Sequence, residues 1–153
     1  MYRLIYVSRE VEPFNLQRLT QLLPNVQHAN QTAGITGVLF YCQGIFLQLL
    51  EGPRNAVEGI MGKIEKDPRH TAIICLVRKE STHERLFPDW RMGFFHMSSI
   101  EPLFENGLVP NDPVEMERIL DLADHHDPER NLLATFWNEN RKMLRPIFTN
   151  FDQ

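Results

Sequence analysis

Gly44-Ile45-Phe46-Leu47-Gln48-Leu49-Leu50-Glu51-Gly52 is an apolar run with a single uncharged amide at its centre. The run is short and bounded by glycines, as a buried strand is, and alternate residues of a strand share a face. Gln48 therefore looks the same way as Phe46 and Leu50, while Ile45, Leu47 and Leu49 look the other way. A buried amide without partners costs about 1–3 kcal/mol. Gln48 either ties down main chain or presents its amide to a ligand.

Upstream, Gly34-Ile-Thr-Gly-Val-Leu-Phe-Tyr41 forms a second strand, joined through Cys42-Gln43, with Gly44 free to take a left-handed turn conformation. The pair reads as a β-hairpin. Residues 2–8 are short and β-prone, a first strand with Leu4, Tyr6 and Ser8 on one face, so Tyr6 belongs in the layer of Gln48. Leu16, Leu19, Leu23 and Val26 recur at steps of three and four, the mark of an amphipathic helix, and the next step of four lands on Asn30. Pro24 interrupts that pattern, and a break into two pieces is expected there.

Gly52-Pro53 opens a second helix, with proline at the first helical position and an inner stripe of Val57, Ile60, Met61 and Ile64. Lys63 borders this stripe, and the helix stops before Asp67-Pro68. Thr71–Arg78 reads as another buried strand. A last strand is expected around Trp90–Phe95, with Trp90, Met92 and Phe94 on one face.

Strand, helix, strand, strand, helix, strand, strand is the βαββαββ order of an α+β, ferredoxin-like two-layer sandwich, about five strands with two helices on one face. Asp112-Pro113 and Asp127-Pro128 then repeat a helix start of N-cap acid followed by proline. The expected organisation is a domain over residues 1–97 and a helical extension over 98–153. The second helix of the extension carries Leu132, Leu133, Phe136, Met143 and Leu144, which pack on the open sheet face or on a partner.

With 153 residues the chain bounds one core, and a hydrophobic share of 42% is that of an ordinary globule. A net charge of −4 with dispersed basic residues argues against direct nucleic-acid binding, and no apolar stretch approaches a membrane span. Cys42 and Cys75 lack CxxC spacing and no signal peptide precedes Tyr2, so a reduced, cytoplasmic protein is expected. His125-His126 has no further ligands at useful spacing, and no metal site is expected. No activated nucleophile stands beside a base, which weighs against a small enzyme of this fold.

The helices aim Asn30 and Lys63 toward the layer into which Tyr6 and Gln48 turn. Four hydrogen-bonding groups around an apolar slot suit a planar heterocycle with ring donors and acceptors.

Five blocks give that slot a family. Leu4-Ile-Tyr-Val-Ser8, Gly34–Tyr41, Gly44–Gly52, Asp67-Pro-Arg-His70 and Phe87-Pro-Asp-Trp-Arg-Met-Gly93 occur in the order and spacing of the BLUF family, the blue-light sensors that use flavin. The resemblance covers about residues 2–97. It implies FAD bound non-covalently between the two helices, with FMN as the alternative. On matching positions, Tyr6 resembles the photoactive tyrosine and Gln48 the glutamine that links it to the flavin. Asn30 resembles the asparagine at the ring's C4 carbonyl and N3 edge, and Lys63 a residue reaching the C2 carbonyl.

In the block after the second helix, Asp67, Arg69 and His70 fall near the emerging ribityl and phosphate tail. Trp90 and Met92 resemble a switch pair, one member of which neighbours the glutamine in each state. Val26 stands where many members have serine, Ala29 where a polar residue is common, and Pro24 interrupts the first helix; these alter ring contacts and recovery rate more than flavin binding. After residue 97 the chain resembles no cyclase, phosphodiesterase or DNA-binding segment. The resemblance therefore implies a short-type sensor that signals by association, as a homo-oligomer and with an unidentified downstream protein.

Overall fold

The computed structural model describes residues 1–13, 16–97 and 113–141. Asp112, Met143 and Leu144, named above for the C-terminal helices, lie outside the described residues. The order is β1 (Tyr2–Glu10), α1 (Leu16–Ala33), β2 (Thr36–Cys42), β3 (Ile45–Gly52), α2 (Arg54–Glu65), β4 (His70–Glu80), β5 (Gly93–His96), α3 (Pro113–Leu122) and α4 (Pro128–Asn140). One sheet runs β4-β1-β3-β2-β5, with β2 and β5 parallel and the other neighbours antiparallel. This is the α+β, ferredoxin-like fold.

The β2–β3 turn is closed by Gln43 and Gly44, both left-handed at φ 49° and 84°, the pattern of a type I′ hairpin turn. It fixes the register of β3, and β1 then pairs with β3 so that Tyr6 lies opposite Gln48. Tyr2, Leu4, Tyr6, Leu50 and Phe94 face the layer of α1 and α2 together with Val57 and Met61. Ile5, Val38, Phe40, Leu47, Leu49 and Phe95 face the other way, where Met116, Leu120, Leu133 and Trp137 of α3 and α4 cover them. Trp137 meets Phe95 edge-on at 5.3 Å between ring centroids.

A buried charge network ties this second layer down. Arg3, fully enclosed on β1, donates to Glu51 Oε1 at 3.0 Å, to Asp127 Oδ1 and Oδ2 at 2.8 and 2.6 Å, and to Glu84 O at 2.5 Å. Asp127 caps α4 by accepting from Glu129 N and Arg130 N, and Pro128 opens the helix as its sequence announced. Burial pushes the Glu51 carboxyl up, against the pull of Leu86 N, Arg3 and Phe87 N. Burial also acts upward on Asp127, but the hydrogen bonds from Arg3 and Glu129 win and hold it low.

Several expectations need correction: Val26, placed on the inner stripe of the first helix, is 41% exposed, and Pro53 is the N-cap of α2 and not its first residue. Thr71–Arg78 is not buried: β4 is an edge strand, with Ile74 and Leu76 59% and 45% exposed. Apolar composition alone does not distinguish an edge from a centre. α1 is unbroken across Pro24, which lies exposed on the helix, so the proline costs a backbone donor without ending the element. The last strand starts at Gly93, so Trp90 and Met92 precede it and do not share a face; Trp90 belongs to the α3/α4 side and Met92 to the α1/α2 side.

Candidate functional site

β1 and β3 set Tyr6 and Gln48 side by side, and their side chains complete the pair. Tyr6 Oη donates to Gln48 Oε1 at 2.6 Å, and Gln48 Nε2 donates to Met92 Sδ at 3.3 Å. Both residues are buried. Burial first, and then the negative charge of Asp67, push the Tyr6 phenol well above its ordinary pKa, so it stays protonated. Tyr6 is thus a committed donor toward an amide that has one donor and one acceptor end.

Asn30 reaches the same layer from the end of α1. It is 2% exposed, its Nδ2 donates to Arg91 O at 2.7 Å, and its main-chain carbonyl accepts from Ile35 N at the turn into β2. Around these groups Leu39, Phe46, Ile60 and Ile64 pack against the core yet remain half-buried, an apolar rim from β2, β3 and α2. Apolar walls with three amide or phenol groups fit a flat, ring-shaped ligand bearing donors and acceptors.

The remaining predicted residues sit at the margin. Lys63 is exposed on α2. Asp67 accepts from Arg69 at its main-chain N and its guanidinium, and these bonds hold the Asp67 carboxyl low. His70 is braced at both ring nitrogens, Nδ1 against Ser8 Oγ and Nε2 against Ile64 O, each at 2.8 Å, with its ring 6.2 Å from that of Tyr6. Met92 joins the Tyr6–Gln48 pair, whereas on the opposite face Trp90 lies tilted against Phe87 at 5.1 Å and stacks with Phe95 at 5.8 Å.

Sequence reasoning missed Gln27, which donates to Met92 O at 3.1 Å, and Ser8 as the partner of His70. Gln27 lies three residues before Asn30, the spacing that puts two helical residues on one face, and that was the available signal.

Comparison with known proteins gives the same reading. Residues 1–93 match the model of the family BLUF, sensors of blue-light using FAD. The photoactivated adenylate cyclase subunit beta of Euglena longa is 34% identical over 90 residues, 58% of this chain and 10% of that protein. The present chain thus spans about a tenth of the length of that relative. Among solved structures, the BLUF protein BlrB in its dark state has a TM-score of 0.57 at 34% identity, covering 61% of this chain and 70% of that one. BlsA in its ground state has a TM-score of 0.60 at 28% identity, covering 92% and 87%. The hydrogen-bonded Tyr6–Gln48 pair, the half-buried apolar side chains of its layer and the match over residues 1–93 lead to one conclusion: the chain belongs to the BLUF family of flavin-using blue-light sensors.

Proposed function

We propose that the protein is a blue-light photoreceptor whose response is a rearrangement of hydrogen bonds around Gln48, carried chiefly by the observation that Tyr6 Oη donates to Gln48 Oε1 at 2.6 Å. Tyr6, Asn30 and Gln48 would hold the ring of FAD, or of FMN. Lys63 would reach its edge, Asp67 and Arg69 would bind its polar tail, and His70 would offer a ring face, since its nitrogens are already engaged. When bound, the flavin supplies a light-excited acceptor for one electron and one proton. Tyr6 releases its phenolic proton with that electron and regains both, so there is no net oxidation.

During the excursion Gln48 Oε1 loses its donor, and the amide is free to exchange its ends. The new arrangement withdraws Nε2 from Met92 Sδ, which biases the segment of Trp90 and Met92 and, through Trp90, the layer of α3 and α4. Residues 98–153 are then the output extension, and the chain acts as a sensor without chemistry of its own, signalling through self-association and a downstream protein. In support, the family match ends at residue 93, and the described α3 and α4 cover the face that holds Trp90.

The test is the visible absorption of the purified protein in the dark, directly after blue light, and during dark recovery. A small reversible red shift without bleaching is expected, and Tyr6→Phe should keep the flavin and lose the shift. Bound flavin that never shifts would overturn the proposal. Light scattering in dark and light tests the association step.

A further inference from the structure

Three consecutive carbonyls ahead of β5 each accept one hydrogen bond from a different part of the α1/β2 region. Trp90 O accepts from Gly37 N at 3.0 Å, Arg91 O from Asn30 Nδ2 at 2.7 Å, and Met92 O from Gln27 Nε2 at 3.1 Å. Side chains leave this clamped segment for opposite faces, Trp90 to the aromatic layer and Met92 to Gln48. Gly93 seals the crossing, since a Cβ there would meet Trp90 Cε3 at 2.3 Å.

A thioether is a weak acceptor, so the contact of Met92 Sδ with Gln48 Nε2 is too feeble to hold the segment by itself. The carbonyl clamp does that. Two of its donors also serve elsewhere, Gly37 as main chain of β2 and Asn30 through its main-chain carbonyl at the turn into β2. Gln27 is different: it is half-buried, one helical turn from Asn30, and its amide bonds the main chain of the residue that touches Gln48.

We propose that Gln27 is a positioning residue of the light response: its amide holds Met92 O, keeps Met92 Sδ on Gln48 in the dark, and thereby sets the lifetime of the lit state. The bond at Met92 O must re-form when the segment returns, so the donor on Gln27 draws Met92 home. The lifetime part rests on the photoreceptor reading above; the dark placement of Met92 does not.

The experiment uses the full chain with flavin bound and the substitution Gln27→Glu, which keeps shape while an ionised carboxylate donates nothing. Two readouts are taken, the dark-state methyl resonance of Met92 and the rate of dark recovery after blue light. The methyl resonance is expected to move, and recovery to slow about fivefold, equivalent to about 1 kcal/mol. Lowering the pH until the introduced carboxyl protonates should bring both back toward the parent protein.

In a Met92→Ala background the same substitution should leave recovery unchanged, because Gln27 acts through Met92. An unmoved methyl resonance, or an equal slowing with and without Met92, would overturn the proposal. Gln27→Ala serves as the second variant if the first does not fold. If the parent protein never shifts in light, the photoreceptor reading fails alone, and the methyl resonance still decides the role of Gln27.

Discussion

On one face of the sheet Phe40, Trp90, Phe95 and Trp137 interlock under α3 and α4, and Arg3 locks the layer through Glu51 and Asp127. On the other, Tyr6, Gln48 and Asn30 stand among half-buried apolar side chains. The same strands build both: β1 sends Ile5 to the first and Tyr6 to the second, and β3 sends Leu49 and Gln48 likewise. Close packing gives the first face a single arrangement, whereas an amide with interchangeable ends gives the second more than one. A sensor needs this division, since a response confined to hydrogen bonds has to be read by something that does not itself soften.

The comparison breaks hardest at Arg3. Arg3→Leu would leave the Glu51 and Asp127 carboxylates buried without their cation, and about 3–5 kcal/mol of stability should be lost, measured by urea unfolding. If the loss is below 1 kcal/mol, the charge network does not lock the aromatic layer.

Gln48→Leu attacks the other face and should separate stability from response. Tyr6 Oη loses its acceptor at about 1–3 kcal/mol, while the light-induced absorption change should vanish. A retained shift would remove Gln48 from the mechanism. Gly93→Ala strikes the seam between the faces, because the added methyl displaces the Trp90 ring. A cost of about 1–3 kcal/mol is expected with altered tryptophan emission, and flavin binding intact.

What was legible in the sequence follows the same division. Gln48 announced itself as a lone amide in an apolar strand, and two strand periodicities put Tyr6 in its layer, whereas the link between the two came only with the family resemblance. Trp90 and Met92 were misjudged, because period-two alternation holds only inside a strand and both precede β5. Arg3 gave no signal that it would be fully buried, since its partner Asp127 is 124 residues away. β4 read as interior because Ile73, Ile74, Leu76 and Val77 have the composition of a central strand, and only the pairing order makes it an edge.

That edge carries the mildest prediction. Glu58 on α2 accepts from Tyr2 Oη and from the Arg78 guanidinium of β4, and those bonds, Arg78 first, lower its carboxyl from 4.5 to about 2. A carboxyl lowered on folding stabilises the protein above its unfolded pKa and loses that contribution as pH falls through its folded one. The gap between the parent protein and Glu58→Gln should therefore be full above about pH 4.5 and close toward pH 2. Its size stays below about 1 kcal/mol, since Glu58 and Arg78 are 29% and 45% exposed and water screens them. Glu51 acts with the opposite sign: burial raises its carboxyl, so acid relieves a charge held away from water and favours the folded state. Urea midpoints from pH 7 to pH 2 read both, because Glu58→Gln removes the edge contribution and leaves that of Glu51. A gap that widens on acidification would mean that the edge pair does not hold β4 to α2 through charge.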